Sequence, residues 1–158
     1  KVKIEDNFPL RYCFFMHDFQ KKILLNQFKD LEIKQINRTN KSKIYFDGLK
    51  EIKNLSFPQN EFNEKNIFLE FPIICDKNIT KSKLFEYLLD KKIDVKNYCY
   101  KNCSEEKIYG SNQHICLNSK KISENIIMLP VHERISGDYQ LQIIDLIKGF
   151  FNQKDKAI

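Results

Sequence analysis

Tryptophan is absent from this chain of 158 residues, and glycine and proline number four each. No apolar run approaches the roughly 18 residues that a membrane helix needs, so no span and no membrane partner are expected. No Gly-rich phosphate loop, no Gly-x-Ser-x-Gly elbow and no His-Glu-x-x-His zinc motif is present. Taken alone, the chain shows no self-contained active site and no catalytic residue. Blocks of five or more basic residues are missing too, because Asn and Ser interrupt the lysines. The net charge of +6 therefore reads as a Lys-, Asn- and Ile-rich composition, and no nucleic-acid partner is expected.

The five cysteines (Cys13, Cys75, Cys99, Cys103 and Cys116) are odd in number and follow no framework. Reduced thiols in a cytoplasmic protein are the expectation. Cys99, Cys103, His114 and Cys116 are zinc-ligand types, but no second close Cys pair accompanies them, so no metal is assigned. Triplets such as Asn37-Arg38-Thr39 and Asn78-Ile79-Thr80 arise by chance in a chain this rich in Asn.

What is present is 42% hydrophobic residues, enough for one core with an extended arm. The chain starts at Lys1 and reads as part of a longer polypeptide. Phe8-Pro9-Leu10 gives an extended entry. Neither Gly nor Pro interrupts residues 10–47. Met16, Phe19, Ile23 or Leu24, Phe28, Leu31 and Ile36 then step at helical intervals. The signal fades over Asn37–Lys43 and returns at Tyr45, Leu49 and Ile52. Two helices with a break there are the alternative; one long helix, with or without a kink, is preferred. Such a helix is an arm that needs a partner surface.

Asn54–Lys65 reads as a loop, and Ile67 to Cys75 as a strand entering a core. Thr80 is expected to cap a helix reaching Lys92, with Leu84 and Tyr87 or Leu88 on its inner face. Ile93–Tyr98 predicts a second strand, Asn118–Ser123 a short helix, and Asn125–Leu129 a third strand stopped by Pro130. Ser136 should cap a last helix whose stripe is Leu141, Ile144, Ile147 or Lys148, and Phe151, widened by Ile143, Leu146 and Phe150. The fold class is α+β: a long N-terminal helix followed by a small antiparallel or mixed sheet with helices packed on one face. Residues 1–60 form the entry and connecting helix, and 61–158 the α+β domain. His17-Asp18 is expected to cap a helix, and His132-Glu133 to lie on a surface loop.

Several phrases resemble one family. Arg11-Tyr12-Cys13-Phe14-Phe15-Met16, followed by Arg38, Tyr45 and Leu49, is similar to the segment opening the C-terminal half of the DegT/DnrJ/StrS sugar aminotransferases. There a Gly-Tyr-Asn-x-Arg-Met phrase leads into a long helix with an Arg, Tyr, Leu pattern. Lys92-Ile93-Asp94-Val95-Lys96 resembles the family's Gly-Ile-x-Thr-Arg stretch. Met128-Leu129-Pro130-Val131-His132, with Ile135-Ser136, resembles its Leu-Pro-x-(Tyr/His)-Pro-x-Leu-Ser signal. The resemblance spans about residues 10–151.

It implies the small domain of a fold-type I enzyme dependent on pyridoxal 5'-phosphate. The reaction implied moves an amino group from an amino donor onto a nucleotide-linked keto sugar, in polysaccharide or amino-sugar biosynthesis. A homodimer is implied as well. The family's aldimine lysine belongs to the large domain, before Lys1. By resemblance, Cys13 and Phe15 occupy the cofactor-phosphate positions held in the family by Asn and Arg. Arg11, Tyr12, Lys96 and Tyr98 fall near the substrate. The family's Gly is Lys92 here, and its Arg is Lys96. A thiol and a phenyl group offer a phosphate neither amide nor cation. An active enzyme with a diverged site and a non-catalytic relative both remain open.

Overall fold

A computed structural model describes residues 16–57, 66–97, 102 and 116–155. The expected N-terminal helix is two helices, α1 (Asp18–Phe28) and α2 (Leu31–Leu49). His17 caps α1: its Nδ1 accepts from the Phe19 amide at 3.3 Å, while its own amide donates to Gln20 Oε1 at 3.0 Å. Asp18 adds favourable charge to the first turn. The capping role expected for His17-Asp18 is therefore observed.

The preferred single helix is corrected by a break at Lys29–Asp30, where Asp30 leaves helical geometry with ψ near 7°. Helix α2 then runs unbroken through 37–43, where the apolar signal fades. Its inward face there is polar and hydrogen-bonded: Thr39 Oγ1 donates to the Asn66 carbonyl at 3.2 Å, and Ser42 is fully buried. Hydrophobic periodicity cannot register such a face.

Three strands make an antiparallel sheet in the order β1 (Leu55–Ser56), β2 (Glu70–Cys75), β3 (Ile126–Pro130). Strand β1 lies inside the expected 54–65 loop, pairing Leu55 with Cys75 and Ser56 with Ile74. Strand β2 starts later than its apolar alternation suggested, leaving Ile67 and Leu69 exposed and burying Phe71, Ile73 and Cys75. Pro72 sits opposite Met128 without harm to the ladder. Met128 exchanges both backbone bonds with Lys96 on its other side, so the missing Pro72 N–H points away from β3. Strand β1 ends before reaching that position.

The strand expected at 93–98 is, over its described residues, a single bridge between Lys96 and Met128. The chain bends too tightly for more: the Val95 amide closes a turn onto the Ile93 carbonyl at 3.0 Å. Helix α3 (Asn78–Asp90) precedes it, with Thr80, Leu84 and Leu88 buried. Thr80 is not its cap, since the helix starts at Asn78 and Thr80 lies inside the first turn. The end of α3 is a Schellman turn. The Lys92 amide reaches Leu89 O at 2.8 Å, the Ile93 amide reaches Leu88 O at 2.9 Å, and Lys92 has φ 61°.

Helix α4 (Leu117–Asn125) matches the expected short helix and runs directly into β3. Ser136 caps α5 (Gly137–Asp155) as expected, its Oγ accepting from the Tyr139 amide at 3.2 Å. The inward stripe of α5 is Gln140, Ile143, Ile144, Ile147 and Phe151, while Leu141 is 55% exposed. The expected stripe began one residue late, because an apolar pattern does not select a buried glutamine. Side chains from α2, α3 and α5 close one core over Phe71, Ile73, Ile127 and Leu129. The Tyr45 ring stacks on Phe71 with centroids 5.7 Å apart.

Helix α1 stands outside this core, with no buried residue; Phe19 is 68% exposed and Leu25 64%. The arm expected of the whole helical segment is thus reduced to α1, since α2 buries Ser42, Tyr45 and Leu49 against the rest of the fold. No helix among the described residues is long and apolar enough to cross a membrane.

Candidate functional site

Arg11, Tyr12, Cys13, Phe15 and Tyr98 lie outside the described residues, so of the six family positions the structure describes Lys96 alone. Its ammonium pairs with Glu70 Oε1, across the edge of the sheet where β2 begins. The Glu70 side chain is mostly buried and that of Lys96 partly so. Besides any role toward a ligand, Lys96 thus ties the segment after α3 to β2. Cys99, Cys103 and His114 also fall outside the described residues, while Cys116 is exposed. Among the described residues no group of three or more His, Cys, Asp or Glu side chains could hold a metal ion.

The richest polar constellation lies where α2 crosses the loop between β3 and α5. Tyr45 Oη donates to the Pro130 carbonyl at 3.1 Å. One turn earlier, Lys41 Nζ donates to the carbonyls of His132 (2.9 Å) and Glu133 (3.1 Å). Another turn back, Arg38 Nη2 lies 3.8 Å from Glu133 Oε1. Residues 38, 41 and 45 share one helical face and meet three consecutive parts of the loop. From α5, Gln140 Nε2 donates to the Lys41 carbonyl at 3.1 Å.

Two groups here are electrostatically perturbed. Burial lowers the Lys41 pKa from 10.5, with Glu133 acting in the opposite sense. Burial also drives the Tyr45 phenol far above its ordinary range, with the Gln140 side chain opposing the shift and Tyr139 adding to it. Tyr45 therefore stays a hydrogen-bond donor at any physiological pH.

His132, Glu133 and Arg134 are exposed, with Glu133 held near Arg38. This agrees with the surface loop expected for His132-Glu133, but its anchoring on α2 was not foreseen. The signal available was the polar stretch 37–43 inside an otherwise apolar helix pattern. Among the described residues, grooves lie elsewhere: one of about 470 Å³ between α3 and α5, lined by Tyr87, Asp138 and Asp145, and one of about 410 Å³ beside Glu51, Lys53 and Lys148. Neither is lined by Lys96 or by the 132–134 loop.

As to a cofactor phosphate, Cys13 and Phe15 supply no amide or cationic donor at the positions the resemblance assigns to it. Those residue types do not fit a phosphate-binding pair.

Known proteins give this architecture a context. The chain is 25% identical over 115 residues to the dTDP-4-amino-4,6-dideoxy-D-glucose transaminase of Shigella dysenteriae, covering 70% of this chain and 31% of that protein. Its fold matches the aminotransferase TlmJ from Streptoalloteichus hindustanus with TM-score 0.79 and 15% identity, over 89% of this chain and 38% of that one. It also matches a DegT DnrJ EryC1 StrS aminotransferase from Brucella abortus with TM-score 0.72 and 21% identity, over 84% and 35%. The chain thus spans about a third of the length of these relatives. The family profile itself matches residues 6–148, nearly the whole sequence. On that match, the chain belongs to the DegT/DnrJ/EryC1/StrS aminotransferase family, whose members depend on pyridoxal phosphate.

Proposed function

We propose that this chain is the C-terminal, small domain of a pyridoxal-phosphate-dependent aminotransferase. The whole enzyme transfers an amino group from an amino donor to a keto sugar linked to a nucleotide, for cell-surface polysaccharide or amino-sugar biosynthesis. The family match over residues 6–148 carries this reading. The name of the Shigella relative, a dTDP-sugar transaminase, supports the substrate class. The bare apolar surface of α1 supports a missing larger unit, since an 11-residue helix without buried contacts is marginal alone. A cytoplasmic homodimer completes the reading, with Arg11, Tyr12, Lys96 and Tyr98 near the substrate. Lys96 would then meet an anionic substrate only by sharing itself with Glu70.

The second reading is a non-catalytic binding or dimerisation module of the same fold. Thiol and phenyl groups at Cys13 and Phe15 favour it.

The test uses the complete polypeptide that contains this chain. With pyridoxal phosphate it should turn yellow and convert a dTDP- or UDP-keto sugar to its amine in the presence of glutamate. A colourless protein without transfer would reject the enzyme and leave the module. In the active protein, Lys96→Met should raise KM for the sugar nucleotide about tenfold, the cost of one charged hydrogen bond.

A further inference from the structure

We infer that Lys41 is a positioning residue, which locks the backbone of the loop from Pro130 to Ile135 while the side chains of His132 and Arg134 stay exposed toward a ligand. The clause about the ligand rests on the enzyme reading above; the lock itself does not.

The observation is a division of labour within a few residues. Three of the four carbonyls from Pro130 to Glu133, those of Pro130, His132 and Glu133, are held by side chains of α2. The loop's own turn, Ile135 amide to His132 carbonyl at 3.1 Å, is its internal bond. Val131 is fully buried and anchors the start, and the Ser136 cap fixes the end. Yet His132, Glu133 and Arg134 are exposed. A surface loop without function has no need of a partly desolvated lysine bridging two of its carbonyls, because water satisfies carbonyls equally well. Ordering the backbone before a ligand arrives removes that entropy from the cost of binding.

Lys41 is central for a geometric reason. It lies midway between Arg38 and Tyr45 on the same face, and it is the one residue of the three that bonds two loop carbonyls. A methionine fills similar volume without a donor, whereas arginine keeps the charge and several donors.

The experiment is amide hydrogen exchange on the complete polypeptide, for the parent sequence, Lys41→Met and Lys41→Arg. Lys41→Met should accelerate exchange at residues 131–136 by about tenfold, with residues 143–151 of α5 unchanged. Lys41→Arg should restore most of the protection. Unchanged exchange at 131–136 in Lys41→Met overturns the lock, and so does a uniform rise across α5 that Lys41→Arg fails to reverse. KM and kcat for the sugar nucleotide, measured on the same proteins, test the ligand clause: KM should rise several-fold in Lys41→Met with kcat nearly constant. Equal losses in both variants, or a fall in kcat alone, overturn that clause. A parent protein without transaminase activity defeats the enzyme reading, and the exchange data still decide the lock.

Discussion

Gly48 of α2 faces Ile144 of α5 so closely that a Cβ on the glycine would lie 2.7 Å from Ile144 Cδ1 and 3.0 Å from its Cγ2. The glycine sets the distance at which the two helices cross above the sheet. Alanine would gain about 1 kcal/mol of helix propensity, yet overpacking of this kind costs about 1–3 kcal/mol. Gly48→Ala should therefore destabilise the fold by roughly 1 kcal/mol in urea titration, with an unaltered m-value. Ile144→Val removes the nearer methyl. The double variant should be less destabilised than the sum of the singles by about 0.5 kcal/mol or more. Strict additivity would show that the contact does not govern the crossing.

Lys92 occupies the left-handed position of the Schellman turn after α3, with φ 61°. A side chain in that region costs about 1–2 kcal/mol, part of which glycine gives back through its freer unfolded chain. Lys92→Gly should raise stability by about 0.5–1 kcal/mol, seen as a higher denaturation midpoint. Lys92→Ala, which keeps a Cβ, should gain far less. Loss of stability in Lys92→Gly would contradict the strain.

Tyr45 should be silent in a phenol titration until the protein unfolds, because burial raises its pKa above the usual 10.0. In the unfolded chain the phenol ionises near its ordinary value. Its contribution to stability is thus full below pH 10 and is lost as pH rises beyond it. Tyr45→Phe should cost about 1 kcal/mol at neutral pH by orphaning the Pro130 carbonyl. It should also lose stability less steeply than the parent above pH 10. Parallel pH curves for the two proteins would refute this account.

The Ser42 hydroxyl of α2 is buried, without a hydrogen-bond partner among the described residues. Removing it costs no hydrogen bond and gains helix propensity. Ser42→Ala should therefore be neutral to about 1 kcal/mol more stable in thermal unfolding. A loss above about 1 kcal/mol would reveal a bond that the hydroxyl makes.

The same residues mark where pattern reading worked and where it did not. The helices carrying Leu84 and Leu88, and Ile147 and Phe151, were legible because each buries an apolar stripe of its own. So was β3, five buried residues closed by a proline. The 37–43 stretch of α2 was less legible, since its inward face is Arg38, Thr39, Lys41 and Ser42. Gln140 was missed for the same reason: its amide bonds the Lys41 carbonyl, a partner 99 residues away. At the candidate site, a family phrase singled out Lys96, but its pairing with Glu70 left no mark in the sequence.

What the sequence by itself determined was the kind of most elements and the family, because hydrophobic period, caps and short phrases are local. The caps at His17 and Ser136 and the α+β order belong to that class. Only the tertiary structure decided the break at Asp30, the two-residue strand β1, the reduction of 93–97 to one bridge, and the α2 side chains gripping the 130–135 loop. The strand, the bridge and the grip depend on which groups find partners far away in the chain, and polar pairing across such distances leaves no periodic trace in the sequence.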